Sequence, residues 1–277
     1  MSVRQKAAAM VKLGVTPYEA MILAQIQVAP NDIFTYTFGV EIECVNCRYN
    51  DFFAAARRNG LSIFDQVYYN HHDMPVYKLT TDSSLVGDNT AECVTPPLNS
   101  TDGFESLEAC CKSLNEIGAN VNKSCGLHVH IGAADLTDRE YCNVFVNYMA
   151  LEDAIDSFMA PSRRNSHWCN SLKSHRSAIL FASTREEMRA AFGGDRYYKV
   201  NACAYRAHKT IEFRQHSGST DFEKISAWVK FLGKLVEYSK EHRFSRPVNR
   251  IEDIPFLTDE EKSYFIARRQ KFASIAA

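Results

Sequence analysis

In the stretch Cys125-Gly126-Leu127-His128-Val129-His130-Ile131-Gly132, apolar residues alternate with imidazoles. Successive side chains on a β-strand point to opposite faces, so Leu127, Val129 and Ile131 fall on one side and His128 and His130 on the other. A chain with this pattern needs a sheet that has a core on one face and a cleft or water on the other. Neutral imidazole is the commonest metal ligand and carries protons near neutral pH, so two on one strand face mark a candidate site. A half-buried strand with its polar face in water is the alternative that this stretch alone leaves open.

Two more stretches repeat the pattern with complementary chemistry. Across Phe38–Cys44, alternation sets Glu41 and Glu43 against Val40, Ile42 and Cys44. Across Thr210–His216 it sets Glu212, Arg214 and His216 against Ile211 and Phe213. A buried charge without a partner costs several kcal/mol, so these side chains are predicted to meet each other, metal ions or phosphates.

The rest of the sequence bounds what can surround them. The 277 residues, 45% hydrophobic and 23% charged, fit one large soluble domain. A formal net charge of −1 supplies no global field toward nucleic acid or an anionic membrane. No apolar run reaches the roughly 18–20 residues of a membrane span, and the N-terminus lacks the apolar core of a signal peptide. The expectation is a cytoplasmic protein without membrane contact. Nine scattered cysteines, several on apolar faces, read as reduced thiols. Cys44-Val45-Asn46-Cys47 is an isolated C-x-x-C whose first thiol faces away from the glutamates, so no zinc or redox centre is assigned to it.

Along the chain, residues 1–30 read as an N-terminal helical extension, with a helix start at Thr16-Pro17-Tyr18-Glu19 and a stop at Pro30; residues 31–277 form the main domain. A helix is predicted over Asn50–Asn59. It leads to a loop whose His71-His72 pair is read as solvent-exposed. Strands Tyr77–Leu85 and Ala91–Leu98 flank the turn Gly87-Asp88-Asn89, with Asp82 and Glu92 near the two arms, and Asp82 by itself reads as a turn residue. Helices are expected from Asp102, Thr137, Ser183, Thr220 and Thr258. The loop Ser162–Arg176, basic with Trp168 interleaved, fits either a phosphate-binding or a solvated surface loop. Arg196–Asn201 is predicted as a strand that pairs, through a turn at Ala207-His208-Lys209, with the Glu212 strand. Helices alternating with hairpin-like strands give an α+β fold with an antiparallel sheet.

Taken in order, five blocks resemble the signatures of the amidoligase family, relatives of glutamate–cysteine ligases and glutamine synthetase. They are Gly39-Val40-Glu41-Ile42-Glu43; Asp82-x-Ser84-Leu85 with Glu92-x-Val94-Thr95-Pro96-Pro97; Cys125-Gly126-Leu127-His128-Val129-His130; Arg196-Tyr197-x-x-Val200-Asn201; and Thr210-Ile211-Glu212-Phe213-Arg214 with Gly218-Ser219-Thr220. The resemblance spans about residues 36–235, and Ser83 departs from it where many relatives carry glycine.

The resemblance implies a glutamine synthetase-like curved antiparallel sheet with helices on its convex side, and with ATP and two or more Mg²⁺ or Mn²⁺ ions on the concave face. It places Glu41, Glu43, Glu92, His128 and Glu212, with Asp82, at metal-ligand positions. It places His130, Arg196 and Arg214 at the phosphates or the transferring phosphoryl group, as catalytic and nucleotide-binding residues, with Asn201 also on the nucleotide side. The implied reaction joins a carboxylate to an amine through an acyl phosphate, with peptides, cell-wall fragments and modified nucleic acids among the conceivable substrates. Oligomeric state is not legible. A carboxylate-rich set with one or two His suits Mg²⁺ or Mn²⁺ better than Zn²⁺. Three rivals stand beside this reading: a guanidine-type phosphotransferase on the same broad fold, a zinc hydrolase, which lacks an H-E-x-x-H pattern here, and a non-catalytic nucleotide-binding scaffold.

Overall fold

The structure is a computed structural model and describes residues 34–70 and 72–275. The expected helical extension over 1–30 and His71 lie outside the described residues. Seven strands form one sheet: β1 (Phe38–Cys44), β2 (Ile63–Phe64), β3 (Tyr77–Thr80), β4 (Ala91–Val94), β5 (Gly126–Gly132), β6 (Val200–Asn201) and β7 (Thr210–Ser217). Their order is β2-β3-β4-β1-β5-β7-β6. The helices are α1 (Tyr49–Arg58), α2 (Ser100–Glu116), α3 (Asp138–Phe158), α4 (Arg176–Phe181), α5 (Arg185–Ala191), α6 (Ala204–His208), α7 (Phe222–Glu241) and α8 (Asp259–Ile275). The fold is α+β.

Helices cover the apolar face of the sheet. Val40, Ile42 and Cys44 of β1, Leu127, Val129 and Ile131 of β5, and Ile211 and Phe213 of β7 are buried in one core with Phe145, Tyr148, Trp228 and Leu232 from α3 and α7. The Tyr148 and Phe213 rings lie 5.7 Å apart, and Phe104 of α2 stacks on Phe38 of β1 at 4.8 Å. Full burial of one such side chain contributes about 1.5–3 kcal/mol, so the central strands are fixed face-down and their alternate residues face-up. The capping box expected at Thr137 forms, with Glu140 bonding back to the Thr137 backbone. Thr258 and Glu261 pair likewise ahead of α8, whereas Asp221 and not Thr220 caps α7.

Three expectations need correction. The sheet is mixed, because β2 pairs parallel with β3 while every other pairing is antiparallel. The long connection from Phe64 to Tyr77 returns the chain to the end of the sheet where it started, which a tight hairpin cannot do. Second, only Val200 and Asn201 of the predicted Arg196–Asn201 strand join the ladder as β6. Upstream, the backbone bonds elsewhere: Asn170 N–H donates to Tyr197 O at 2.8 Å and Lys199 N–H donates to Asn170 O at 3.0 Å. The predicted turn is the short helix α6, closed by Lys209 in the left-handed region.

Third, His216 is not on the ionisable face. Leu127 pairs with His216 but Val129 pairs with Phe213, so two steps on β5 oppose three on β7. This β-bulge inserts one extra residue and turns both Gln215 and His216 toward the helices. There His216 lies 5.9 Å from the Trp228 ring. Its Nδ1–H donates to Ser217 O at 2.7 Å, and its Nε2 accepts from Arg268 at 3.4 Å. Among the described residues, no helix is long and apolar enough to cross a membrane.

Candidate active site

Register brings the ionisable residues of four strands into direct opposition on the face turned away from the helical core. Glu43 sits across from Glu92, Glu41 across from His128, and Glu212 lies between His130 and Asn201. His128 Nδ1 bonds Glu41 Oε2 at 2.9 Å and is 3.7 Å from Glu212 Oε1, while its Nε2 is 3.6 Å from Glu43 Oε1. His130 Nδ1 pairs with Thr210 Oγ1 at 2.8 Å. Its Nε2, 3.4 Å from Glu41 Oε1, is buried without a hydrogen-bond partner among the described residues. Arg214 donates through Nη1 and Asn201 through Nδ2 to the two oxygens of Glu212, and Arg214 Nε has no partner among the described residues. Asp82 Oδ1 accepts from Ser84 N–H at 2.7 Å, and an Asp82 oxygen lies within 4.8 Å of both Glu43 and Glu92. At Gly126 the backbone N–H donates to Glu43; a Cβ there would lie 3.1 Å from Arg163 Nη2 and 3.3 Å from both Glu43 Oε2 and His128 Nε2, so a side chain would press on all three groups.

Two cavities meet at this cluster. One, about 870 Å³, is lined by the acids together with Arg163, Arg196, Arg214, Trp168 and Tyr197. The other, about 560 Å³, has Met74, Val76, Val94 and Pro97 among its walls and shares Glu41, Glu92, His130 and His208 with the first. Residues 35–236 match the family described as putative amidoligase enzyme. The chain belongs to the amidoligase family. Comparison with curated proteins finds no match. The matched span of this amidoligase takes in all seven strands and every residue of the cluster, and it ends within α7.

Burial and like charge together set the electrostatics of the cluster. Burial, and then the nearby Glu41 and Glu43 carboxylates, push the Glu92 carboxyl well above the usual range. Glu41 goes the other way: burial opposes its ionisation, but the His128 hydrogen bond and the close approach of the His130 imidazole hold it well below. Glu212 is likewise held down to about 2: burial raises it, and the charges of Arg214, His130 and His128 together outweigh that. Like charges directly opposite on adjacent strands destabilise a sheet, and Glu43 with Glu92 is such a pair, each 5% exposed. Three overlapping sets, Glu41/His130/Glu212, Glu41/Glu92/His128 and Glu43/Asp82/Glu92, each offer ligand atoms within 4.8 Å of one another. Mostly carboxylate, with at most one His and no Cys per set, they fit hard divalent cations such as Mg²⁺ or Mn²⁺.

Other predicted site residues of the amidoligase lie apart from the acids. Arg196 is at the cavity rim, its Nη2 3.4 Å from Tyr197 Oη, and His216 is on the opposite side of the sheet. Cys44 and Cys47 are buried, and Cys47 and burial push the Cys44 thiol up, which disfavours its thiolate. Two contributors escaped the alternation argument. Thr210, at the start of β7, orients His130. Arg163, from the basic loop, is buried and donates to the carbonyls of Arg214 and Gln215, the backbone groups that the bulge releases from the ladder.

Proposed function

We propose that this amidoligase is an ATP-dependent carboxylate–amine ligase that works in the cytoplasm and forms an amide or isopeptide bond through an acyl phosphate. The observation that carries the reading is the set of three overlapping carboxylate-rich groups with a guanidinium and a partnerless imidazole nitrogen on the same sheet face. Glu41, Glu43, Asp82, Glu92, His128 and Glu212 would hold Mg²⁺ or Mn²⁺. When bound, the ions neutralise ATP phosphates as the γ-phosphoryl group moves to the substrate carboxylate.

The chain's own residues supply the rest. Arg214, tethered to Glu212 through one nitrogen, keeps the remainder of its planar fork for phosphoryl oxygens. His130, its ring fixed by Thr210, presents Nε2 to the same region, and the Glu41 carboxylate raises its proton affinity despite burial. Asn201 fixes the second oxygen of Glu212, and Arg196 stands at the rim of the cavity for the outer phosphates. The burial of Glu43, Glu92, His128 and Glu212 limits water, which would hydrolyse an activated acyl group before an amine attacked it.

The test is mass spectrometry of a cell extract incubated with ATP, Mg²⁺ and the purified protein. The expected result is ADP, phosphate and a product joined with loss of water, the carboxylate and amine coming from peptides, cell-wall fragments or modified nucleic acids. ADP formation with a phosphorylated amine and no joined product would replace the reading with phosphotransfer. Tight nucleotide binding without turnover would make the protein a scaffold.

A further inference from the structure

Trp168 is a large aromatic side chain left 43% exposed, and it lines the larger cavity together with three arginines and the acidic cluster. Its position is built and not incidental. Cys169 N–H closes a tight turn onto Ser166 O at 3.1 Å, and Trp168 N–H donates to Ser166 Oγ at 3.2 Å. The turn is then pinned from behind: Asn170 Nδ2 donates to both His167 O and Tyr197 O, and fully buried Cys169 anchors its thiol on Arg163 O. The Trp168 indole meets the Tyr197 ring edge-on at 5.4 Å, and Tyr197 is stacked on His167 at 6.1 Å. On the cluster side, the guanidiniums of Arg196 and Arg214 lie 5.2 and 5.8 Å from the Tyr197 ring centre.

We propose that Trp168, supported by Tyr197, is the stacking platform for the nucleobase of the nucleotide, which fixes the orientation of ATP in the larger cavity. The inference rests on the ATP dependence proposed above and goes beyond it by naming the base-binding end. A rigid aromatic surface held beside phosphate-binding guanidiniums matches the two ends of a nucleotide, a planar base and a polyanion. A cavity of about 870 Å³ is within the usual range of roughly 300–1,000 Å³ for small-molecule sites. The smaller cavity, on the far side of Glu41 and His130, is thereby left to the second substrate.

The chain has two tryptophans, and Trp228 is 1% exposed in the helical core, so fluorescence can isolate Trp168. In full-length Trp228→Phe protein, or in the wild-type minus Trp168→Phe difference spectrum, Mg²⁺–ADP should quench the indole saturably and Mg²⁺–tripolyphosphate should not. Calorimetry should show Trp168→Ala weakening ADP by about tenfold, with Trp168→Phe restoring most of the loss and tripolyphosphate affinity within about twofold throughout. Unchanged ADP affinity in Trp168→Ala, or a loss that appears instead in Tyr69→Ala on the same cavity wall, overturns the platform and leaves the ATP reading intact. Failure of the wild type to bind either ligand removes the ATP reading itself.

Discussion

Arg214 is the residue whose two roles separate most cleanly. It is buried, bonded to Glu212 and held from behind, its carbonyl accepting from Arg163. If its charge acts chiefly on the transferring phosphoryl group, Arg214→Lys keeps the charge but loses the planar fork. The expected outcome is nucleotide affinity within a few-fold of wild type and single-turnover rate reduced by roughly 10²-fold or more. Thermal midpoint and rate, measured on one preparation, check it: a lowered midpoint with normal turnover per folded molecule would reduce Arg214 to a structural partner of Glu212. The side-chain directions of Glu41, Glu43, His128, His130, Glu212 and Arg214 were legible because period-two alternation is set by covalent geometry. Their meeting was not, since no local pattern says which strands are neighbours; the resemblance to a family supplied that. Arg163 reads as a loop cation in sequence, and its burial depends on carbonyls some fifty residues away.

At the scale of elements, the bulge in β7 decides what the alternation pattern missed. A one-residue insertion flips everything beyond it, and it depends on cross-strand pairing that a single strand's sequence does not encode. Its consequence is a histidine in the core. Burial first, and then the Arg268 charge, depress His216 to about 3, because protonation would place a second positive charge against Arg268. A histidine of depressed pKa contributes stability that is complete above its unfolded value of about 6.5 and is lost as pH falls toward the folded value. Near pH 5 the loss from this residue is about 2 kcal/mol. His216→Gln keeps a donor and an acceptor but cannot titrate, so the difference in stability between variant and wild type should shrink from pH 7 to pH 5. Paired denaturant titrations at the two pH values measure it, and parallel profiles would remove His216 as a source of acid sensitivity. The two-residue strand β2 was equally hidden, for Ile63-Phe64 carries no alternation to read.

For the whole molecule, the crowded acids make stability depend on what binds them. Because Glu92 is raised, the cation-free fold gains from its proton below the ordinary carboxylate range and loses that gain as pH rises through the folded value. At neutral pH, Mg²⁺ at about 100 times its dissociation constant should add about 2.7 kcal/mol and raise the thermal midpoint by about 5 °C. Glu92→Gln should be more stable than wild type without metal and gain less from Mg²⁺; a variant that melts lower in EDTA would contradict this account. The two cavities carry a kinetic consequence of their own. Glu41, Glu92 and His130 line both of them, so under the proposed reading the nucleotide and the second substrate would occupy adjoining cavities at the same time. Ternary-complex turnover is expected: initial-rate lines in double-reciprocal plots should intersect as the second substrate is varied, where a shuttle that discharged one product before admitting the next would give parallel lines.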